Sequence, residues 1–194
     1  MIQMYKGNLL FSQQENSFYL YEYRSKGLWS RLFESEIKGD IAHKMNSLLP
    51  KDIVVYKVFK VDDEKHARFD AVSRSYEYKI WLGRNPFLSD YSWQIHSQKL
   101  DVELMNDAAK LLLEYTDFQT FSKVKTDVYT YNCNVTEAIW KKNENELIFY
   151  ITANRFLRNM VRAIVGTLLD VGLEKISISD FKNIIKSKNS TARS

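Results

Sequence analysis

Two hydrophobic periods run along this chain. From Ile41, apolar residues recur at helical spacing (Ile41, Met45, Leu48, Leu49), which predicts a helix capped by Asp40 and stopped at Pro50. Ile53–Val61 is rich in β-formers and reads as a mostly buried strand. Ser75–Leu82 alternates: Tyr76, Tyr78, Ile80 and Leu82 point one way, Ser75, Glu77, Lys79 and Trp81 the other. Asp101 caps a second helix with Leu104, Ala108, Leu111, Leu112 and Tyr115 in one stripe. Val135–Trp140 and Leu147–Ala153 form a hairpin through Lys142–Asn145. Asn154 then opens the most apolar helix, with Met160, Ile164, Val165 and Leu168 on its broad inner face and Gly172 as its stop. A last short helix starts near Ser179, and its Phe181, Ile184 and Ile185 pack inward. Ser17–Tyr23 is a weakly alternating strand candidate. Hairpin-paired strands and helices in separate runs predict an α+β fold, a mainly antiparallel sheet flanked by helices.

Composition narrows the class. The chain has 194 residues, 45% hydrophobic and 14% aromatic, enough for a real core and unlike a disordered segment. Its single cysteine, Cys133, excludes an intramolecular disulfide and any multi-cysteine metal cluster, and suits a reducing compartment. No apolar run approaches the roughly 18 residues of a membrane helix, and Met1–Lys6 lacks the layout of a signal peptide. The expectation is a soluble cytoplasmic protein with no membrane partner.

Charge is uneven. Residues 154–194 carry eight Lys or Arg against three acids, a larger excess than the net +4 of the whole chain. This points to an anionic partner such as nucleic acid, with a solvated basic face as the plain alternative.

Candidate chemistry follows from what is absent as well as present. There is no glycine-rich phosphate loop, and His43, His66 and His96 have no metal-ligand spacing with one another or with Cys133. Arg155, Arg158 and Arg162 recur at steps of three and four, which on one helix puts them on one face. Arg162 lies between Val161 and Ala163-Ile164-Val165, so burial beside an acidic partner is expected. The second stretch is His66–Tyr78, where Arg68, Arg74, Tyr76 and Tyr78 mix cations with rings, a combination suited to an unpaired base and its backbone. Tyr78 reads as core; Tyr76, at the strand's start, reads as a site residue.

Four segments together resemble the tRNA pseudouridine synthase A family: HARFDAVSRSYEYKIW (66–81), TDFQTFSK (116–123), NCNVTEAIW (132–140) and NRFLRNMVRAIVGTLLDVG (154–172). The likeness covers roughly Phe33 to Thr191, which sets a divergent segment 1–33 apart from a synthase-like domain 34–194. It implies isomerisation of uridine to pseudouridine in the tRNA anticodon stem-loop, no metal or organic cofactor, and a homodimer. The flipped base stacks on a tyrosine, which falls on Tyr76, and the basic residue that pairs with the essential aspartate falls on Arg162. Arg68, Arg74, Arg155 and Arg158 become candidate phosphate contacts. The chain also departs from the pattern. Residues 1–33 hold no Gly-Arg-Thr-Asp-type motif, the first aspartate is Asp40, and the family's final Gly-Leu-containing strand would begin where Ser194 stands. The expectation is a truncated or rearranged, incomplete fold. It would be a weakly active or inactive synthase, a tRNA-binding module without catalysis, or a remnant with neither role.

Overall fold

The computed structural model describes residues 10–14, 17–21, 40–51, 53–58, 70–96, 99–123 and 128–187. The chain divides after Ala71 into two compact units. The N-terminal unit contains an antiparallel hairpin of β1 (Leu10–Gln14) and β2 (Ser17–Tyr21), and helix α1 (Ile41–Leu48). Asp40 caps α1: its backbone is extended and its Oδ1 accepts from the His43 amide at 3.0 Å.

The strand expected from Ile53 is not formed over residues 53–58; residues 59–61 lie outside the described set. An α1 side chain takes the place of a neighbouring strand. Asn46 Nδ2 donates to the Val55 carbonyl at 2.8 Å, and the Val55 amide donates to Asn46 Oδ1 at 2.7 Å. The segment's central backbone pair is thereby satisfied without a ladder. Val55 is buried, whereas Val54 and Tyr56 remain exposed.

The C-terminal unit is a four-stranded sheet with helices on one face. Its strands are β3 (Arg74–Leu82), β4 (Trp93–Ile95), β5 (Val135–Asn143) and β6 (Glu146–Ala153), in the order β4-β3-β6-β5. The β3–β6 and β5–β6 pairs are antiparallel; β4 adds a short parallel pairing at Ile80–Leu82. The mainly antiparallel α+β expectation holds. The hairpin turns tighter than its sequence predicts, at Glu144–Asn145, with Glu144 at φ 50°.

Helices α2 (Val102–Lys110), α3 (Met160–Gly172) and α4 (Ile178–Lys186) cover the inner face. Ile80, Leu147, Phe149 and Ile151 from the sheet meet Met105, Leu112, Ile164, Leu168 and Phe181 in one core. Each such side chain contributes about 1.5–3 kcal/mol when fully buried. Asp101 and Ser177 cap α2 and α4, the latter through a reciprocal box with Asp180. On the edge strand β5, Asn106 of α2 reaches the outward backbone of Trp140: its Oδ1 accepts from the Trp140 amide at 2.7 Å, and its Nδ2 donates to the Trp140 carbonyl at 3.1 Å.

Two features of α3 differ from the sequence reading. The helix begins at Met160, not Asn154, because Asn159 sits in the left-handed region at φ 68° and breaks the helical path. Gly172 is not the left-handed stop; it is the last helical residue, and the positive φ falls on Glu174 at 57°. Its lack of a side chain lets α3 touch α2. A Cβ there would stand 2.5 Å from Met105 Sδ, and the Gly172 carbonyl accepts from the Asp101 amide at 2.9 Å.

Candidate functional site

Strand β3 carries the aromatic residues of the site on its helix-covered face. Tyr76 is half-buried, with its ring edge-on to Phe156 at 5.0 Å between centroids and 78° between planes. Two residues along, Tyr78 is half-buried against the core and meets Trp93 edge-on at 6.5 Å and 81°. Burial pushes the Tyr78 phenol up, and the positive charge of Arg162 works against that rise. Arg162 and Tyr78 therefore share one electrostatic neighbourhood.

The burial expected for Arg162 is not observed. Arg162 is exposed, and among the described residues it makes no ion pair. Its position around the helix explains this. Arg162 falls in the first turn, about 160° around the helix from Ile164 and about 120° from Leu168, on the side away from the core. Sheet carboxylates are no substitute partners. Glu77 alternates with Tyr76 and Tyr78 and so projects from the other face, where Thr152 Oγ1 donates to Glu137 Oε2 at 3.1 Å.

The shared helical face of three arginines also dissolves, because Arg155 and Arg158 precede α3 in the connection from β6. Arg158 is exposed, and its carbonyl accepts from the Lys123 amide at 3.0 Å. Arg155 is half-buried; its charge opposes the burial that pushes the Cys133 thiol up. Arg74 Nη1 donates to the Asn154 carbonyl at 3.0 Å, and Asn154 Oδ1 accepts from the Asn134 amide at 2.7 Å. These bonds tie the start of β3 to the connection that brings Phe156 to Tyr76. Arg68 lies outside the described residues.

A family model described as tRNA pseudouridine synthase matches residues 108–194. Proteins named tRNA pseudouridine synthase A are similar over most of the chain. The one from Parabacteroides distasonis is 49% identical over 149 residues, 77% of this chain and 59% of its own length. That from Bacteroides fragilis is 51% identical over 150 residues, with the same coverage of 77% and 59%. That from Bacillus subtilis is 38% identical over 151 residues, covering 77% and 61%. The chain belongs to the tRNA pseudouridine synthase A family. It spans only about six-tenths of the length of these family members.

Within this family member the structure brings Tyr76, Phe156, Tyr78 and Trp93 together along β3, with the Arg162 charge acting on Tyr78, while Arg74 acts within the fold as a tether. The sequence reading assigns Tyr78 to the core, where it packs, takes Asn154 as a helix cap and does not mark Phe156 or Trp93 as ring partners. The alternation of Ser75–Leu82 already placed Tyr78 on the face of Tyr76. No local pattern marks Phe156 as a ring partner, since its contact depends on the non-helical path through Asn159. Among the described residues no three His, Cys, Asp or Glu converge as metal ligands would, and no helix is long and apolar enough to cross a membrane.

Proposed function

We propose that the chain binds the anticodon stem-loop of tRNA as a pseudouridine synthase-type protein and isomerises uridine weakly or not at all by itself. The observations that carry this reading are the Tyr76–Phe156 ring pair on β3 and the charge of Arg162 acting on neighbouring Tyr78, in a chain about half identical, over 77% of its length, to tRNA pseudouridine synthases A. A uracil flipped from its stack needs a replacement surface, and the Tyr76 ring, held edge-on by Phe156, supplies one. Isomerisation breaks the bond from N1 to the ribose, rotates the ring and joins C5 to the same ribose carbon, with no atom gained or lost. Arg162 would hold a carboxylate at that centre, and Arg68, Arg74, Arg155 and Arg158 would grip phosphates, Arg74 in part through the connection it tethers.

The second reading is a tRNA-binding module without catalysis. It is favoured by the absence of a carboxylate paired with Arg162 among the described residues. Incubation with unmodified tRNA followed by nucleoside analysis separates the two. Trace or no pseudouridine is expected, because loss of a reacting group lowers turnover by several orders of magnitude; rapid, complete conversion would overturn the weak-activity reading. Affinity for tRNA should fall steeply with salt, and absence of binding would refute both. The same proposal places the chain in the cytoplasm, where a lone thiol stays reduced, and pairs it as a homodimer. Light scattering should then give twice the 22.9 kDa chain mass.

A further inference from the structure

Helix α3 turns toward solvent a face that the core does not use. Arg162, Gly166 and Asp170 follow one another at steps of four, on the same side of the helix. Between this face and β4 lies an open groove of about 420 Å³. Gly166 and Leu169 form its floor, and Trp93, His96 and the Asp170–Lys175 ion pair (3.4 Å) form its rim. A Cβ at Gly166 would meet nothing within 4 Å, so the helix presents bare backbone there. Trp93 is 47% exposed, and its ring meets Tyr78, the residue on which the Arg162 charge acts. The groove thus continues the Tyr78–Arg162 neighbourhood one turn further along α3.

We propose that this groove is a nucleobase subsite. A second unpaired base of the stem-loop stacks on Trp93 above Gly166, with Arg162 and Lys175 on either side of it nearest the flanking phosphates. The inference rests on the tRNA reading above and adds a second contact to it. An aromatic ring beside a track of cations is the combination that holds single-stranded nucleic acid, each stacked base adding appreciable affinity whatever its sequence. Lys175 is partly neutralised by Asp170, whereas Arg162 makes no ion pair among the described residues, so the electrostatic pull is strongest where the groove joins the Tyr78–Arg162 neighbourhood.

Gly166→Leu tests it. The new side chain enters open space in a helix interior, where leucine also has the better propensity, so the fold is retained. Affinity for an anticodon stem-loop RNA is measured by fluorescence anisotropy, beside a blunt duplex of equal charge that has no unpaired base. The expected result is stem-loop binding weakened about fivefold or more, with duplex binding unchanged. Trp93→Ala should reproduce the same selective loss. If both variants bind the stem-loop as tightly as the parent, the subsite is refuted while the tRNA reading stands. If stem-loop and duplex binding weaken equally, the groove is not reading a base, and this inference fails. If the parent binds neither RNA, the tRNA reading falls and takes the subsite with it.

Discussion

Arg162 owes its exposure to helix phase: in the first turn of α3, it stands well around the axis from the buried Ile164 and Leu168. Its guanidinium, without an ion pair among the described residues, makes it a sensitive reporter of RNA contact. Arg162→Gln should lower tRNA affinity about three- to tenfold near 0.1 M salt and reduce the salt slope by about one, while Arg162→Lys should keep most of that slope. Filter binding across a salt series checks both. Cys133 offers a second test. Burial raises its folded-state pKa, so its contribution to stability is complete below the unfolded thiol's pKa and is lost as pH rises through the folded value. Urea unfolding of Cys133→Ala should therefore show a shallower decline in stability above about pH 8.5 than the parent shows. An equal decline would place the alkaline sensitivity elsewhere, with the half-buried Tyr78 phenol, raised in the same direction, next to examine.

At the scale of the element, two backbone details set the geometry of α3. Asn159 tolerates a left-handed backbone because its short polar side chain suits φ 68°, which a β-branched residue does not. Asn159→Val should cost about 1–3 kcal/mol and lower the melting temperature by several degrees. Gly172→Ala should cost a similar amount by pushing α3 off Met105, whose side chain is fully buried and has little room to yield. Circular dichroism melts check both. These positions also show where the chain can be read unaided. The caps at Asp40 and Asp101, the alternation of β3 and the β5–β6 hairpin were legible because each depends on residues close in sequence. The start of α3 was not, since Asn154 and Asn159 are equally good caps by type. Asn154 is instead drawn to Asn134, twenty residues away, and the left-handed backbone at Asn159 sets the start of the helix after it. Residues 53–58 were misread for the same reason: their hydrophobicity is strand-like, but their backbone partner is the Asn46 side chain.

At the scale of the molecule, the C-terminal unit is one-sided. Three helices bury one face of its four-stranded sheet, and Tyr76 and Tyr78 lie on that face. Of the candidate site, the resemblance singles out Tyr76 for stacking and Arg162 for pairing with an aspartate, whereas the tyrosine on which the Arg162 charge acts is Tyr78, which the sequence assigns to the core. The environment of Arg162 is not legible in the sequence, because it depends on what lies opposite the helix. The outer strand β5 supplies a different consequence. An incoming strand from another molecule would have to evict the Asn106 amide from Trp140 before it could zip along that border. Asn106→Ala removes this bolt and leaves a donor and an acceptor unsatisfied, at a cost of about 2 kcal/mol or more. Its expected signature is turbidity that climbs with concentration while the parent solution stays clear, so that a single carboxamide decides whether the protein remains in solution.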